Sequence, residues 1–190
     1  TAGESHGKGL TAILEGFPAG VHIDCGMIDS ELARRQGGYG RGGRMKIESD
    51  SAEILSGMFG SVTLGSPIAF FIRNRDYEKW SAYTDPVRGD IDSKALTALR
   101  PGHADYAGCV KYGFDNARKI LERASARETA ARVGVGAICK QLLSVLGITI
   151  GSHVTEICGV KSTVKPVGAA GLNELSDASA VRCLDKTAEK

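Results

Sequence analysis

The residues best suited to chemistry lie in one short stretch, Arg100-Pro-Gly-His-Ala-Asp-Tyr106. A Pro-Gly pair is typical of a turn, and this one presents His103 between Arg100 and Asp105. An arginine binds anions through charge-assisted hydrogen bonds, and an imidazole can move a proton near neutral pH. The stretch therefore predicts an anion site with an acid–base group beside it.

A second candidate is the glycine-rich loop Gly3-Glu-Ser-His-Gly-Lys-Gly9. Its backbone amides, Lys8 and His6 would suit a phosphate group and a proton transfer to it. It is not a Walker loop, because the Gly-Lys-Ser/Thr spacing and the following helix are both absent. A phosphate-binding or phosphotransfer enzyme using residues Gly3–Gly9 stays open as an alternative, although its metal would need an acidic pair and Glu4 stands alone there.

The segment from Arg123 to Val133 predicts an anion site at the start of a helix. Ser125 and Glu128 have the Ser-x-x-Glu spacing of a capping box, in which each side chain binds the other's backbone amide. A helix N-terminus offers free amides and the positive end of a dipole. Arg127, next to that end, would add a cation.

Arginines also alternate with glycines in the stretch Gln36–Arg44. Cations in the last turn of a helix offset its dipole, which accounts for Arg34 and Arg35 but not for Arg41 and Arg44. Arginines bracketed by glycine are typical of a lid that closes on an anionic ligand. An RNA-binding module is the alternative, but such modules stack bases on aromatic side chains, which make up only 6% of this chain.

Short apolar runs between glycines and prolines predict the strands that position these groups, with the spacing of an antiparallel meander over 46–74. The runs are Leu10–Leu14, Lys46–Glu48, Glu53–Leu55, Val62–Leu64, Ile68–Ile72, Ile148–Ile150 and His153–Ile157. Residues 74–89 are expected to form an irregular loop that Trp80 anchors by packing. His22 and His153 are expected on strand surfaces, without a catalytic role.

Two helices are predicted. Asp29 would cap a helix over Ser30–Gln36 that Gly37 ends. A longer helix would cover 126–146, where apolar residues recur every three or four positions up to Val145 and Leu146. Two glycines inside it, Gly134 and Gly136, cost about 1 kcal/mol each relative to alanine, so we expect neighbours to pack closely against both.

Composition favours one globular domain over residues 1–190. The chain is 42% hydrophobic and 24% charged, and a formal net charge of +2 gives no basis for a polyanion-binding face. No apolar run approaches the roughly 18 residues of a membrane span, and no signal peptide is visible. The 5 scattered cysteines predict reduced, mostly buried thiols rather than a zinc site or disulfides. A cytoplasmic protein without nucleic-acid or membrane partners is expected.

Three motifs together, Gly3–Gly7, Arg100–Tyr106 and Ser125–Val133, closely resemble the chorismate synthase family in its order and spacing. Further matches are Arg34–Arg35 before a glycine loop, Glu53–Gly57 and Gly65–Ile68. The resemblance runs from Thr1 to about Asp185 and covers about the first half of the family's length. The chain, which begins without methionine, is thus expected to be a partial domain of that family.

The resemblance implies a lyase of the shikimate pathway. It would eliminate phosphate and a ring proton, 1,4-anti, from 5-enolpyruvylshikimate 3-phosphate to give chorismate for aromatic amino acid biosynthesis. Reduced FMN would be required without net redox change, and no metal is implied. The resemblance also implies an α+β fold, with antiparallel sheets and helices in a β-α-β sandwich, and a homotetramer.

Residue roles follow from the same resemblance. His6 would protonate or hydrogen-bond the departing phosphate, and His103 would protonate or polarise the reduced flavin. The phosphate and two carboxylates of the substrate would be held by Arg35, Arg41, Arg44, Arg100 and Arg127. FMN would contact Arg123, Ala124 and Ser125, although Ala124 lacks the hydroxyl of the serine found in many members. NADPH, as a flavin reductant, would contact Arg35 and Arg41.

The half of the family that this segment lacks supplies further FMN contacts and an aspartate proposed to act in deprotonation. The isolated segment is therefore expected to be inactive.

Overall fold

A computed structural model describes residues 1–40, 49–166 and 168–190. Its strands are β1 (Gly9–Leu14), β2 (Glu53–Ile54), β3 (Met58–Phe59), β4 (Val62–Thr63), β5 (Ile68–Arg73), β6 (Glu156–Ile157) and β7 (Val160–Lys161). Its α-helices are α1 (Cys25–Gln36), α2 (Tyr77–Thr84), α3 (Asp105–Tyr112), α4 (Arg118–Ala124), α5 (Thr129–Val145) and α6 (Leu172–Asp177), with short 3₁₀ turns at Ile91–Lys94 and Ala126–Glu128.

The main sheet is antiparallel, in the order β1-β5-β2. Its register sets Leu10 opposite Ile72 and Ala12 opposite Phe70. Because side chains alternate between the faces of a strand, these residues share one face, and all four are buried. Ile13, on the opposite face, is 62% exposed. One face of the sheet therefore forms half of the core.

Helices α1 and α5 supply the other half of the core. Ile28 and Leu32 of α1 and Ile138 of α5 are fully buried in the cluster that includes Phe70. A Cβ on Gly134 would lie 2.7 Å from the Phe70 ring, so the expected close packing at this glycine is confirmed. The same expectation is wrong for Gly136, where a Cβ would meet no atom of the described residues within 4 Å.

Helix α1 begins one turn earlier than predicted. Asp24 is its N-cap and accepts a hydrogen bond from the Gly26 amide at 2.8 Å. The predicted cap at Asp29 is wrong, because that carboxylate accepts instead from Ser51 Oγ and the Ala52 amide. The end of the helix at Gln36, capped by Gly37, is confirmed.

The strands predicted at β1, β2, β4 and β5 are present, but they do not form a simple meander. A hairpin, β3–β4, lies between β2 and β5 in the chain, and β2 pairs with β5 across it. Lys46–Glu48 lie outside the described residues.

Several other expectations are wrong. Helix α2 replaces the irregular loop expected over 74–89, and Ile148–Ile150 form no strand. Val145 and Leu146 are 73% and 66% exposed, so the apolar face of α5 ends before them. The thiols are free, but only Cys183 is buried.

Within the described ranges, no helix has the length and apolarity needed to cross a membrane.

Candidate active site

The loop that carries His6 is held in place by one buried side chain. Asn74, just after β5, donates its carboxamide hydrogens to the carbonyls of Glu4, Ser5 and Gly7, at 3.1, 3.1 and 2.8 Å. The Ser5 amide also donates to the Glu122 carbonyl at 2.8 Å. The Gly3–Gly9 loop is therefore fixed against both the sheet and α4.

The His6 ring meets a buried carboxylate. Its Nδ1 lies 2.9 and 3.0 Å from the two carboxylate oxygens of Glu122, and its backbone amide donates to Oε2 at 2.9 Å. Trp80 of α2 stacks on the ring with centroids 4.2 Å apart. Since a carboxylate only accepts hydrogen bonds, these partners assign the proton to Nδ1. The Nε2 edge is the one left for a ligand.

The Arg100–Asp105 turn forms a second cluster. Arg100 donates to both Asp105 oxygens, from Nε and Nη2 at 2.8 Å each, and its backbone amide donates at 3.1 Å. Asp105 begins α3 and its side chain is 1% exposed. Hydrogen bonds from the Arg100 side chain hold the pKa of Asp105 well below its usual range, although burial acts in the opposite direction. Asp105 is therefore an ionised, buried anchor.

His103 lies between the two members of that ion pair. Its Nδ1 is 2.9 Å from Arg100 Nη2 and 3.0 Å from Asp105 Oδ1. A protonated Nδ1 donates to Asp105, whereas an unprotonated Nδ1 accepts from Arg100. Both tautomers of His103 are thus accommodated. The Arg100 side chain keeps 42% of its surface exposed, which leaves room for a ligand.

Arg35 and Arg127 converge on a third carboxylate, Asp50. Arg127 is buried and donates from Nη1 to both Asp50 oxygens at 2.7 Å, and from Nε to Asn74 Oδ1 at 2.7 Å. Arg35 Nη1 lies 3.8 Å from Asp50, and its Nη2 donates to the Ala126 carbonyl at 2.7 Å. Asn74 thereby connects Arg127 to the His6 loop.

The segment Arg123–Ser125 ends α4 and leads into the 3₁₀ turn that precedes α5. Ser125 caps the 3₁₀ turn that follows by accepting from the Arg127 amide at 3.3 Å. The predicted capping box is wrong in both halves. The Glu128 amide donates to the Ser125 carbonyl rather than to its hydroxyl, and the Glu128 carboxylate accepts from Thr1 and Arg132. Arg123 Nη2 donates to Thr1, whereas its Nη1 is a buried atom without a hydrogen-bond partner in the described structure.

Most of the sequence-predicted site residues therefore lie in two clusters. His6, Arg35, Arg127 and Arg123–Ser125 are joined through Glu122, Asp50 and Asn74, whereas Arg100 and His103 lie in the turn before α3. Gly108 of α3 packs against Ile120 of α4, so the turn rests on the helix that holds Glu122. Arg41 and Arg44 lie outside the described residues.

Sequence reasoning missed the residues that orient these groups: Glu122, Asp50 and Asn74. Each acts across more than 50 residues of sequence, so no local spacing reveals it. Trp80 was expected to pack, and it does so against His6. His22 is exposed, and His153 is half-buried outside both clusters.

Comparison with known proteins gives one consistent result. Residues 1–190 match the family model described as chorismate synthase. The chain is 54% identical over 190 residues to the chorismate synthase of Alkaliphilus metalliredigens and 52% identical over 189 residues to that of Caldicellulosiruptor saccharolyticus. These alignments cover 100% and 99% of this chain but 50% of each relative.

A solved structure agrees. A crystal structure of chorismate synthase superimposes with a TM-score of 0.72 at 43% identity, covering 99% of this chain and 49% of that chain. The chain spans about half the length of the curated relatives it matches.

Proposed function

Because the chain belongs to the chorismate synthase family, we propose that it forms the part of such an enzyme that carries the two acid–base histidines. The whole protein would eliminate phosphate and a ring proton from 5-enolpyruvylshikimate 3-phosphate, giving chorismate in the shikimate pathway. The match over the whole chain favours this reaction over phosphotransfer at the Gly3–Gly9 loop.

The observation that carries the proposal is the environment of His6. The ring is held through Nδ1 by Glu122, beside the segment that would contact the flavin and near the arginines bound to Asp50. A departing phosphate needs a proton or a hydrogen bond, and an imidazole fixed by one nitrogen offers both from the other. His6 would therefore serve the leaving group through Nε2.

The substrate carries a phosphate and two carboxylates, and arginines suit such groups because they bind them in a bidentate manner. Arg100, which keeps part of its surface exposed, would contact it directly. Arg35 and Arg127 would bind substrate from the Asp50 cluster. Arg41 and Arg44 would bind it from the glycine-rich stretch that follows Arg35 in the sequence. In the present geometry Arg127 is turned towards Asp50, so its contact would require an exchange of partner.

Reduced FMN fits the segment Arg123–Ser125. The buried, unpartnered Nη1 of Arg123 is a donor suited to an anionic group such as the flavin phosphate. Ser125 would add a hydroxyl, and Ala124 a backbone contact. The flavin, when bound, supplies electron density that helps to expel phosphate. His103 would hold a proton towards it, and Arg35 and Arg41 would receive NADPH in a protein that reduces its own flavin.

The remaining expectations from the family are part of this proposal. In the complete protein a second sheet would cover the helices to form a β-α-β sandwich, and four subunits would assemble in the cytoplasm. Residues 1–190 alone would lack the deprotonating aspartate and would be inactive.

The test is anaerobic incubation of the complete protein with photoreduced FMN and 5-enolpyruvylshikimate 3-phosphate, followed by chorismate absorbance. We expect turnover that is lost in His6→Ala and His103→Ala. Absence of turnover in the parent protein would overturn the proposed reaction. Turnover by residues 1–190 alone would overturn the predicted need for the remaining half.

A further inference from the structure

Glu122 is a buried acid whose hydrogen bonds converge on one residue. Its side chain is 4% exposed, and both of its oxygens contact His6, one of them at the backbone amide as well as at the ring. Arg118, one turn earlier on α4, lies 3.8 Å away. Burying a carboxylate is costly unless it is paired. A buried acid aimed at one imidazole therefore needs an explanation beyond helix stability.

We infer that Glu122 is a positioning residue that holds His6 in the Nδ1–H tautomer, so that Nε2 faces the reacting group. The inference about the tautomer stands on this geometry alone, whereas its catalytic consequence rests on the proposed function.

Two contacts fix the ring of His6, and a third fixes its main chain. The Glu122 carboxylate accepts hydrogen bonds from both Nδ1 and the backbone amide of His6, so the ring is held in one orientation relative to its main chain. Trp80 lies against the ring face. Thr84, on the same helix as Trp80, donates to the His6 carbonyl at 2.7 Å. Rotation of the ring by half a turn would break the bond to Glu122, so the Nε2 edge keeps one direction.

This arrangement determines how a proton is delivered. When the imidazole is protonated, Glu122 retains the Nδ1 hydrogen and the proton that leaves is the one on Nε2. After transfer, the neutral ring is already in the tautomer that can accept a new proton at Nε2. No ring flip is needed between turnovers.

The isosteric variant Glu122→Gln separates positioning from mere packing. The His6 backbone amide can only donate, so it selects the oxygen of the new carboxamide. The NH₂ group then takes the place of Oε1, which lies 2.9 Å from Nδ1. A donor at that place opposes a proton on Nδ1, and the only acceptor left, the oxygen at the place of Oε2, is shared with the His6 backbone amide. Neutral His6 should therefore shift towards the Nε2–H tautomer.

The primary measurement is ¹⁵N NMR of the histidine rings in the complete protein, at a pH where His6 is neutral. His6 is assigned by the loss of its signals in His6→Asn. We expect an Nδ1–H pattern in the parent and a clearly larger share of the Nε2–H tautomer in Glu122→Gln. Glu122→Asp, which keeps the carboxylate, should retain the parent tautomer, and the exposed Glu53→Gln, which also removes one negative charge, is the matched control.

Steady-state kinetics with 5-enolpyruvylshikimate 3-phosphate provide the second measurement. Loss of a correctly placed acid should lower kcat of Glu122→Gln by about 10²-fold or more, while KM changes by less than about threefold. Glu122→Asp should recover a large part of kcat.

An unchanged Nδ1–H pattern in folded Glu122→Gln, or parent-like kcat in that variant, would overturn the inference. If Glu122→Gln does not fold, the tautomer of the parent decides, since an Nε2–H pattern there contradicts the geometry outright. A parent protein that forms no chorismate refutes the proposed function, while the NMR comparison still decides whether Glu122 sets the tautomer.

Discussion

The two histidines of the candidate active site are held in contrasting ways. His103 receives its carboxylate from Asp105, two residues further along the same turn, and Arg100 contacts the same ring nitrogen. His6 receives its carboxylate from Glu122, 116 residues away, and among the described residues its Nδ1 bonds to that carboxylate alone. A local turn thus permits two tautomers, whereas a long-range contact selects one. The histidine proposed to deliver a proton to the leaving group is the one whose tautomer is fixed by its partner.

The largest expected effect tests how far the His6 side depends on distant contacts. Asp50→Ala removes the carboxylate that binds Arg127, whose side chain is 4% exposed. Breaking such a pair from one side costs about 3–5 kcal/mol. We expect the free energy of unfolding, measured in urea, to fall by that amount.

The control is Ser51→Ala, which removes a hydroxyl from the residue next to Asp50 and leaves the ion pair intact. It should lower the free energy of unfolding by less than about 1 kcal/mol. A similar loss of stability in Asp50→Ala and Ser51→Ala would contradict a stabilising role for the Asp50–Arg127 ion pair.

The corresponding change on the His103 side should cost less. Asp105→Ala also removes a buried carboxylate, but its partner Arg100 is 42% exposed and can return to water. We expect the free energy of unfolding to fall by about 1–3 kcal/mol. A loss equal to that of Asp50→Ala would contradict the distinction between a local and a long-range cluster.

The stability contributed by the Arg100–Asp105 ion pair beside His103 should also depend on pH. Because the pKa of Asp105 is depressed in the folded protein, the ionised carboxylate contributes stability at every pH above its unfolded pKa of about 3.9. That contribution is lost as pH falls from there towards the folded pKa. Urea unfolding between about pH 5 and pH 2 should show a steeper decline for the parent than for Asp105→Asn. Equal slopes would contradict the assigned ion pair.

The smallest effect concerns the stacking of Trp80 on the His6 ring. Trp80→Leu keeps an apolar side chain but removes the stacking partner of the ring. An aromatic pair contributes about 0.5–1.5 kcal/mol beyond its buried area. We expect a loss of stability of that order and a decrease in kcat of severalfold, both measured on the complete protein. Tyr112→Leu on α3, which removes a ring that stacks on Phe114 instead, is the control and should leave kcat unchanged.

The sequence predicts those features of the structure that residues close together in the chain determine. The Arg100–Asp105 turn, strands β1 and β5 and the end of α1 at Gly37 all follow from spacing, apolar alternation or a terminal glycine. The helical glycines show a weaker signal. A close neighbour is predicted at both, and it is found at Gly134, where it is Phe70, but not at Gly136.

What the sequence does not reveal is pairing at a distance. Glu122 reads as one charged residue among several before Ser125, and nothing nearby indicates that its carboxylate will be buried against His6. Asp29 illustrates the same limit in reverse. It resembles an ordinary helix cap, yet its carboxylate is used by Ser51 and Ala52 from another part of the chain.

The antiparallel pairing of β1 with β5 has a consequence for the order of folding. Gly9 lies opposite Arg73, so the loop before β1 meets Asn74 only after a long segment of chain has closed. The entropy of closing such a loop grows with its length, and contacts between distant residues form slowly. The Arg100–Asp105 bonds span 5 residues and need no such closure. We therefore expect His103 to find its carboxylate early in folding, and His6 to find its own only when the sheet and α4 have come together.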